Sequence, residues 1–201
     1  AWIIKQSHRI EAVVDLHTAI NNFQQAQRQK NPGFSLSSDG NVVAIGAYYN
    51  DGNGEKSGHT RIFQWNGTSW NKLGSDIDGE ALEDRSGQSI SLSGDGTLVA
   101  IGAPSNDGNG NKSGHTRLYQ WDGNDWVQVG SDIDGEAADD QSGWAVSLSS
   151  DGSTVAIGTK YNDGNGNDSG HVRVFAVADV TAPTFSSAST NSDGTKVILT
   201  Y

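Results

Sequence analysis

The chain alternates short apolar segments with polar, glycine-rich segments, and this pattern predicts β-strands rather than helices. The segments VVAIG, LVAIGA and TVAIGT begin at residues 42, 98 and 154, and each is short enough for a buried strand. An Asp-Gly pair stands shortly before each of them, and Asp-Gly between apolar segments is a strong hairpin signal. The residues that point to either side of these segments are apolar or small, which indicates strands covered on both faces.

The strand pattern repeats every 56 residues, and the segment NDGNG marks the repeat by beginning at residues 50, 106 and 162. Each unit holds four strand candidates divided by turns, which is the size of one β-propeller blade. We therefore predict an all-β fold of four-stranded antiparallel blades. The predicted blades comprise residues 32–87, 88–143 and 144–178.

Glycines inside the central strands predict how the blades pack. Gly46, Gly102 and Gly158 weaken their strands unless another backbone approaches closely, so we expect contacts between blades there. The third unit lacks a candidate for its fourth strand, because AVADVTAPTFSS replaces the tryptophan segment. A closed ring has roughly 4–8 blades, so three units indicate either part of a longer propeller or an open array that associates with itself. The absence of Met favours a part of a longer protein.

The segments GQSISLSGDGTLVAIGAP and GHTRLYQW resemble the FG-GAP repeat of integrin-α-type β-propellers, and residues 102–104 match its Gly-Ala-Pro element. The segment SLSSDG is also similar to the Ser-x-Asp-Gly turn of WD-repeat and related bacterial propellers. The FG-GAP resemblance covers roughly residues 32–177. Ser86 and Ser142 stand where the family has Phe before Gly, and a tight Asp-Gly turn replaces the family's Asp-rich calcium loop. The resemblance implies the fold and does not bring the family's metal site with it.

The two ends of the chain differ from the repeat. Residues 1–31 predict a helical leader with an apolar stripe that includes Ile10 and Val13, and this leader either covers the edge of the first blade or lies loosely outside it. Residues 179–201 read as a linker and a strand, and they resemble the start of an Ig-like repeat in large bacterial surface proteins. Without a cover on the first blade, we expect the segment to self-associate through its open blade edges.

Composition excludes several classes of function. The net charge is −11, from 24 acidic and 13 basic residues, so the chain repels phosphate backbones and we expect no nucleic-acid partner. No apolar run approaches the length of a bilayer span, so we predict no membrane insertion. The chain has no Cys, which excludes thiolate chemistry and disulfides.

The residues that could do chemistry recur in every unit, whereas catalysis needs one unrepeated set. His59 and Arg61 recur at +56 and +112, and we interpret them as structural partners of neighbouring acidic loops. The tryptophans that flank the last turn of each unit are expected to fill gaps between blades rather than to stack on sugars. The acidic connectors that begin SDIDGE are expected to be solvated loops or cation sites, and we predict that the chain is not an enzyme.

The NDGNG loops are candidate calcium sites. Oxygen-bearing side chains alternate with glycines, which lets a loop curl around a hard cation, and a weak Kd of ~10⁻⁴–10⁻³ M is typical of extracellular modules. The loops lack the bidentate Glu that closes an EF-hand, and Asn-Asp-Gly is also an ordinary turn sequence. Calcium binding and plain turn geometry therefore remain alternatives. The candidate ligands are Asp51, Asn53, Glu55, Asp107, Asn109, Asn111, Asp163, Asn165 and Asn167.

These features together predict a noncatalytic extracellular adhesion or ligand-binding module of a larger surface protein, secreted or held at the cell surface. Its expected partner is an extracellular protein or a glycan. One alternative is a polysaccharide-acting propeller enzyme whose active site lies in other blades, and another is a purely structural spacer. Because propellers host many activities, the fold alone does not decide among them.

Overall fold

A computed structural model of the chain describes residues 33–180, 187–190 and 197–200, so the predicted helical leader at 1–31 lies outside the described residues. The described part is all-β apart from one helical turn, α1 (Val177–Val180). No helix within it is long and apolar enough to cross a membrane.

The first unit forms an antiparallel meander in which each strand pairs with the next. Its strands are β1 (Phe34–Leu36), β2 (Val42–Gly46), β3 (His59–Trp65) and β4 (Trp70–Lys72), followed by β5 (Ile77–Asp78), which returns to pair with the start of β3. Each hairpin follows from its turn residues: Asp39 Oδ1 accepts the amide proton of Asn41 (2.9 Å), which closes the Asp-Gly turn between β1 and β2.

The second unit repeats this sheet and the third repeats part of it. The second sheet contains β6 (Ser89–Leu92), β7 (Leu98–Ala103), β8 (His115–Trp121), β9 (Trp126–Gln128) and β10 (Ile133–Asp134). The third contains β11 (Ser142–Leu148), β12 (Thr154–Thr159) and β13 (His171–Ala176). Residues 182–184, the positions that would correspond to β9, lie outside the described residues, so the absence of a fourth strand stays a prediction. β11 begins before the predicted boundary at 144, because Ser142 pairs with Thr159 ahead of a bulge.

A separate two-stranded antiparallel sheet follows, made of β14 (Ser187–Thr190) and β15 (Val197–Thr200). Its strands belong to the segment that resembles an Ig-like repeat. The Ig-like assignment stays a prediction.

The three sheets stack face to face and bury two apolar layers. The first layer joins Ala44 and Ile62 of the first sheet to Ile90 and Leu92 of the second. The second layer joins strands β7 and β8 to β11 and β12 in the same way. Every residue of β2 and β7 is buried, as the two-faced apolar pattern predicts, whereas β12 alternates because no described residue covers its outer face.

The central-strand glycines allow this stacking. A Cβ added to Gly46 would lie 2.0 Å from the carbonyl oxygen of Gly87, and one added to Gly102 would lie 2.1 Å from that of Gly143. The predicted close contact between blades is therefore confirmed at both positions. At Gly158 it is wrong for the described residues, since the nearest atom would be the Ala145 Cβ at 3.4 Å.

Polar side chains also join neighbouring sheets. The Ser35 Oγ accepts the amide proton of Leu92 (2.9 Å), which ties β1 to β6, and Ser91 makes the equivalent bond to Leu148. The buried indole of Trp126 donates to the Leu73 carbonyl oxygen of the preceding unit (2.9 Å). The interpretation of the tryptophans as packing residues between blades is thus confirmed at Trp126.

Candidate functional site

The NDGNG loops are stabilised by their own side chains. In the first loop, Asn50 Oδ1 accepts the amide proton of Gly52 (2.7 Å), and Asp51 Oδ1 accepts that of Lys56 (2.8 Å). These bonds replace backbone partners that an irregular loop lacks, so the Asn-Asp-Gly sequence fixes the turn. The same pair of bonds recurs in the other loops at Asn106, Asp107, Asn162 and Asp163.

The second Asn of the loop holds the acidic connector of the same unit. Asn53 Nδ2 donates to the carbonyl oxygens of Gly79 (2.8 Å) and Glu80 (3.1 Å). Asn109 makes the equivalent bonds in the second unit. Each connector is therefore held against its loop instead of extending freely into solvent.

A buried aspartate then joins each connector to the loop of the next unit. Asp84 Oδ2 accepts from the Ala81 amide (2.9 Å) and from Asn106 Nδ2 (3.1 Å). Asp140 binds Asn162 of the third unit in the same way (3.0 Å). The expectation that the connectors are solvated loops is wrong for these two side chains, because Asp84 is 2% exposed and Asp140 is 3% exposed.

Together the loops and connectors form a continuous acidic surface, which we call the acidic rim. It comprises residues 50–56, 76–83, 106–112, 132–139 and 162–168. It carries 13 of the chain's 24 acidic residues but few of its basic ones. The rim is strongly anionic, and hydrogen bonds to the backbone fix its shape.

All nine candidate calcium ligands lie on exposed positions of this rim. Asp51 already accepts a backbone proton with Oδ1, and Asn53 uses Nδ2 to hold the connector. These bonds support the turn alternative, and Glu55 binds the ammonium group of the adjacent Lys56 (2.8 Å). Calcium binding at the loops stays a prediction.

A cluster at the second blade combines residues from two units. His115 Nδ1 lies 3.3 Å from Asp132 Oδ2 of its own sheet and 3.9 Å from Glu80 Oε2 of the preceding connector. Arg117 Nη1 lies 3.1 Å from Glu80 Oε1, and Gln128 Nε2 donates to Asp132 Oδ1 (2.6 Å). His115 lies at the start of β8, where it pairs with Asp134 of β10, and its side chain is buried.

The first unit has a different arrangement at this position. Arg61 donates through Nε (2.9 Å) and Nη2 (2.7 Å) to Asp76 Oδ2, and Lys72 also binds Asp76. Burial alone would raise the pKa of Asp76, but the hydrogen bonds from these two cations lower it to about 2. Burial lowers the pKa of His59, which favours a neutral imidazole.

The third unit has part of the cluster. His171 Nε2 lies 3.6 Å from Glu136 Oε2, and Arg173 Nη1 lies 3.8 Å from Glu136 Oε1. The sequence after β13 departs from the repeat, and the position 56 residues beyond Asp132 belongs to the separate sheet of β14 and β15. In the first unit, His59 Nδ1 also lies near two carboxylates, those of Asp76 (3.9 Å) and Asp78 (3.8 Å). Within the described residues, the set in which one imidazole and two carboxylate ligand atoms all lie within 4.8 Å of one another is found at the second blade.

These contacts confirm that the recurring His and Arg lie beside acidic connector residues, as expected; that their role is structural stays a prediction. The sequence did not identify Glu80 and Asp132 as neighbours of His115. The 56-residue repeat could have identified this contact, because the connector of one unit meets the third strand of the next unit when blades stack.

Comparison with known proteins gives one family match. The model of the FG-GAP repeat matches residues 75–119 and 131–175. Each matched stretch runs from the end of one unit into the next and includes one of the buried Asp–Asn pairs. A comparison with curated protein sequences found no match.

Comparison with solved structures finds similar chains at low sequence identity. A chain from the complex of KlAtg21 with the coiled-coil of AgAtg16 is 14% identical with a TM-score of 0.52, over 74% of this chain and 40% of that chain. Kuenenia stuttgartiensis hydrazine synthase gives 12% identity and a TM-score of 0.45, over 84% and 43%. The Myceliophteria thermophila Cps50 (Swd1) beta-propeller domain gives 10% and 0.30, over 84% and 62%. The chain spans less than half the length of the first two.

Proposed function

We propose that this chain is a noncatalytic recognition module of an extracellular protein, secreted or held at the cell surface. Its antiparallel blades, and its match to the FG-GAP repeat over residues 75–119 and 131–175, support a β-propeller module. The observation that carries the proposal is the acidic rim. It presents most of the chain's carboxylates on loops that hydrogen bonds hold in place. A surface of this kind suits binding better than chemistry, since its charged groups recur from unit to unit.

The rim favours a partner protein with a basic surface. Clustered carboxylates attract cationic partners and speed their encounter, most strongly at low salt. The loops are already ordered by bonds such as that of Asn53 to Gly79, so little ordering entropy is lost on binding. Complementary charge and a rigid surface together support specific recognition.

A glycan partner receives less support from the tryptophans. Stacking on a sugar requires an exposed aromatic face, whereas Trp126 is buried between blades. Trp121 lies against Trp126 with ring centroids 5.6 Å apart, and Trp65 and Trp70 pair similarly at 5.7 Å. These contacts favour a protein over a glycan as the partner.

The proposal is tested by probing an array of purified extracellular protein domains and a glycan array with the labelled full chain. We expect binding to at least one basic protein domain, with an affinity that falls steeply with added salt because exposed charges are screened. The rim variant Glu83→Gln/Asp134→Asn/Asp139→Asn should weaken that binding, since all three side chains are exposed.

A matched control removes the same charge elsewhere. Asp39, Asp122 and Asp151 lie off the rim, and Asn at each keeps the Oδ1 atom that caps its turn. The triple Asn control should bind as the unchanged chain does. Equal weakening by both variants would mean that binding follows net charge alone. Binding to glycans only would replace the protein partner, and no binding on either array would favour a structural spacer.

A further inference from the structure

We propose that Glu80, His115 and Asp132 form a binding site for a divalent transition metal ion of the zinc type. The site would join the connector of the first unit to the second blade. It is distinct from the candidate calcium loops in place and in ligand chemistry. The proposal does not depend on the recognition role of the rim.

The ligand atoms already lie close to metal-binding distances. His115 Nδ1 is 3.3 Å from Asp132 Oδ2 and 3.9 Å from Glu80 Oε2, and one ligand atom from each residue lies within 4.8 Å of the others. In a tetrahedral zinc site with bonds of about 2.1 Å, ligand atoms stand about 3.4 Å apart. The Glu80 side chain is about half exposed, so it can make the remaining adjustment without disturbing the core.

Each carboxylate has one oxygen held by a second residue while the other oxygen faces the imidazole. Arg117 Nη1 contacts Glu80 Oε1 (3.1 Å), and Gln128 donates to Asp132 Oδ1 (2.6 Å). Arg117 is itself fixed, since its Nη2 donates to the Asp78 carbonyl oxygen (2.9 Å). Outer contacts that orient metal-binding carboxylates in this way are a regular feature of zinc sites.

Burial and ligand type decide which metal fits. The His115 side chain is 2% exposed and rigid, whereas those of Asp132 and Glu80 are 27% and 45% exposed, so an ion can enter from the carboxylate side. Imidazole with two carboxylates suits zinc and similar metals, and a fourth position stays open for water or a ligand from a partner. Calcium and magnesium prefer sites made wholly of oxygen.

The neighbouring units provide internal controls. In the first unit, two cations bind the corresponding carboxylate, Asp76. In the third unit, His171 and Glu136 are present, but the sequence after β13 departs from the repeat before the position of the second carboxylate. The alternative to a metal is direct contact between the imidazole and the two carboxylates, which needs no ion.

The test is calorimetric titration of the tag-free, chelator-treated full chain with zinc chloride at neutral pH. We expect one zinc ion per chain, and cobalt should give the visible absorption of a tetrahedral complex. Glu80→Gln and Asp132→Asn keep the shape of each side chain and should weaken zinc binding about tenfold or more, while Gln128→Leu should weaken it by roughly tenfold through loss of the outer contact. The control Glu136→Gln should bind as the unchanged chain does.

Circular dichroism of each variant separates loss of the site from loss of the fold. Absence of zinc heat in the folded chain would overturn the proposal and leave the cluster as direct imidazole–carboxylate contacts. Zinc binding that Glu80→Gln and Asp132→Asn both leave intact would place the ion elsewhere. Displacement of zinc by equimolar calcium would also contradict an imidazole site.

Discussion

The close contact between blades predicts a strong effect of Gly102→Ala. The added Cβ would lie 2.1 Å from the Gly143 carbonyl oxygen and 2.3 Å from the Ser89 Oγ. An ordinary contact needs more than 3 Å, and the carbonyl oxygen belongs to backbone that cannot rotate away. The second and third blades would have to separate, and the apolar layer between them would loosen.

The expected loss of stability of Gly102→Ala is the difference between two opposing contributions. Overpacking a well-packed site costs about 1–3 kcal/mol, and a backbone clash belongs at the upper end. Replacing Gly by Ala within a strand returns about 0.5–1 kcal/mol of conformational entropy. We therefore expect a net loss of about 2 kcal/mol, which lowers Tm by roughly 4–8 °C in a chain of this size. The same change at Gly158 meets the Ala145 Cβ at 3.4 Å and should be neutral or slightly stabilising.

The assay is thermal and urea unfolding of both variants, followed by circular dichroism and by the fluorescence of buried tryptophan. Gly102→Ala and Gly158→Ala are the same chemical change at the same repeat position, so they share every effect except the blade contact. Equal midpoints for the two variants would refute the contact as described. A lower midpoint for Gly158→Ala would show that its outer face is covered.

Three further predictions concern charge and surface. Asp76 has a folded pKa of about 2 against an ordinary value of 3.8, so its contribution is complete above pH 3.8 and is lost as pH falls through 2; Asp76→Asn should cost at most about 2 kcal/mol at neutral pH and flatten the acid part of a Tm–pH profile. Val174 is 64% exposed on β13, and Val174→Glu should reduce self-association in sedimentation experiments, whereas Val127→Glu on β9 should not. Calorimetric titration with calcium should separate the two alternatives for the NDGNG loops. If the loops bind calcium, the binding heat of the unchanged chain should disappear in the variant Asp51→Ala/Asp107→Ala/Asp163→Ala. Equal heats from the unchanged chain and this variant would leave the loops as turns.

Local sequence predicts the blades well because strand and turn signals are local. The Asp-Gly turns and the two-faced apolar strands place β2 and β7 correctly, and Gly46 marks a real contact between blades. The two-residue strand β5 was not predicted, since Ile77 is a single buried apolar residue within an acidic segment. Its position depends on pairing with β3, which a window of neighbouring residues does not contain.

The candidate site depends on contacts between units, and these are harder to predict. Asp84 lies among acidic residues and so resembles a solvated position, while the Asn106 amide that binds it comes from the next unit. Glu80 meets His115 for the same reason, because stacking brings one unit's connector to the next unit's third strand. The 56-residue repeat gives the spacing between a connector and the next unit's third strand. Only the geometry of stacked blades shows that the two are in contact.

The bonds from Asp84 to Asn106 and from Asp140 to Asn162 also bear on how the number of repeats could change in a gene. Each 56-residue stretch encodes one such acceptor and one such donor, wherever the stretch is cut. An in-frame duplication of a whole unit would therefore give every buried carboxylate a partner. A duplication that copied the Asp without the Asn would leave a buried carboxylate unsatisfied, at a cost of about 1–3 kcal/mol. The array can thus lengthen or shorten in whole units without new interfaces having to evolve.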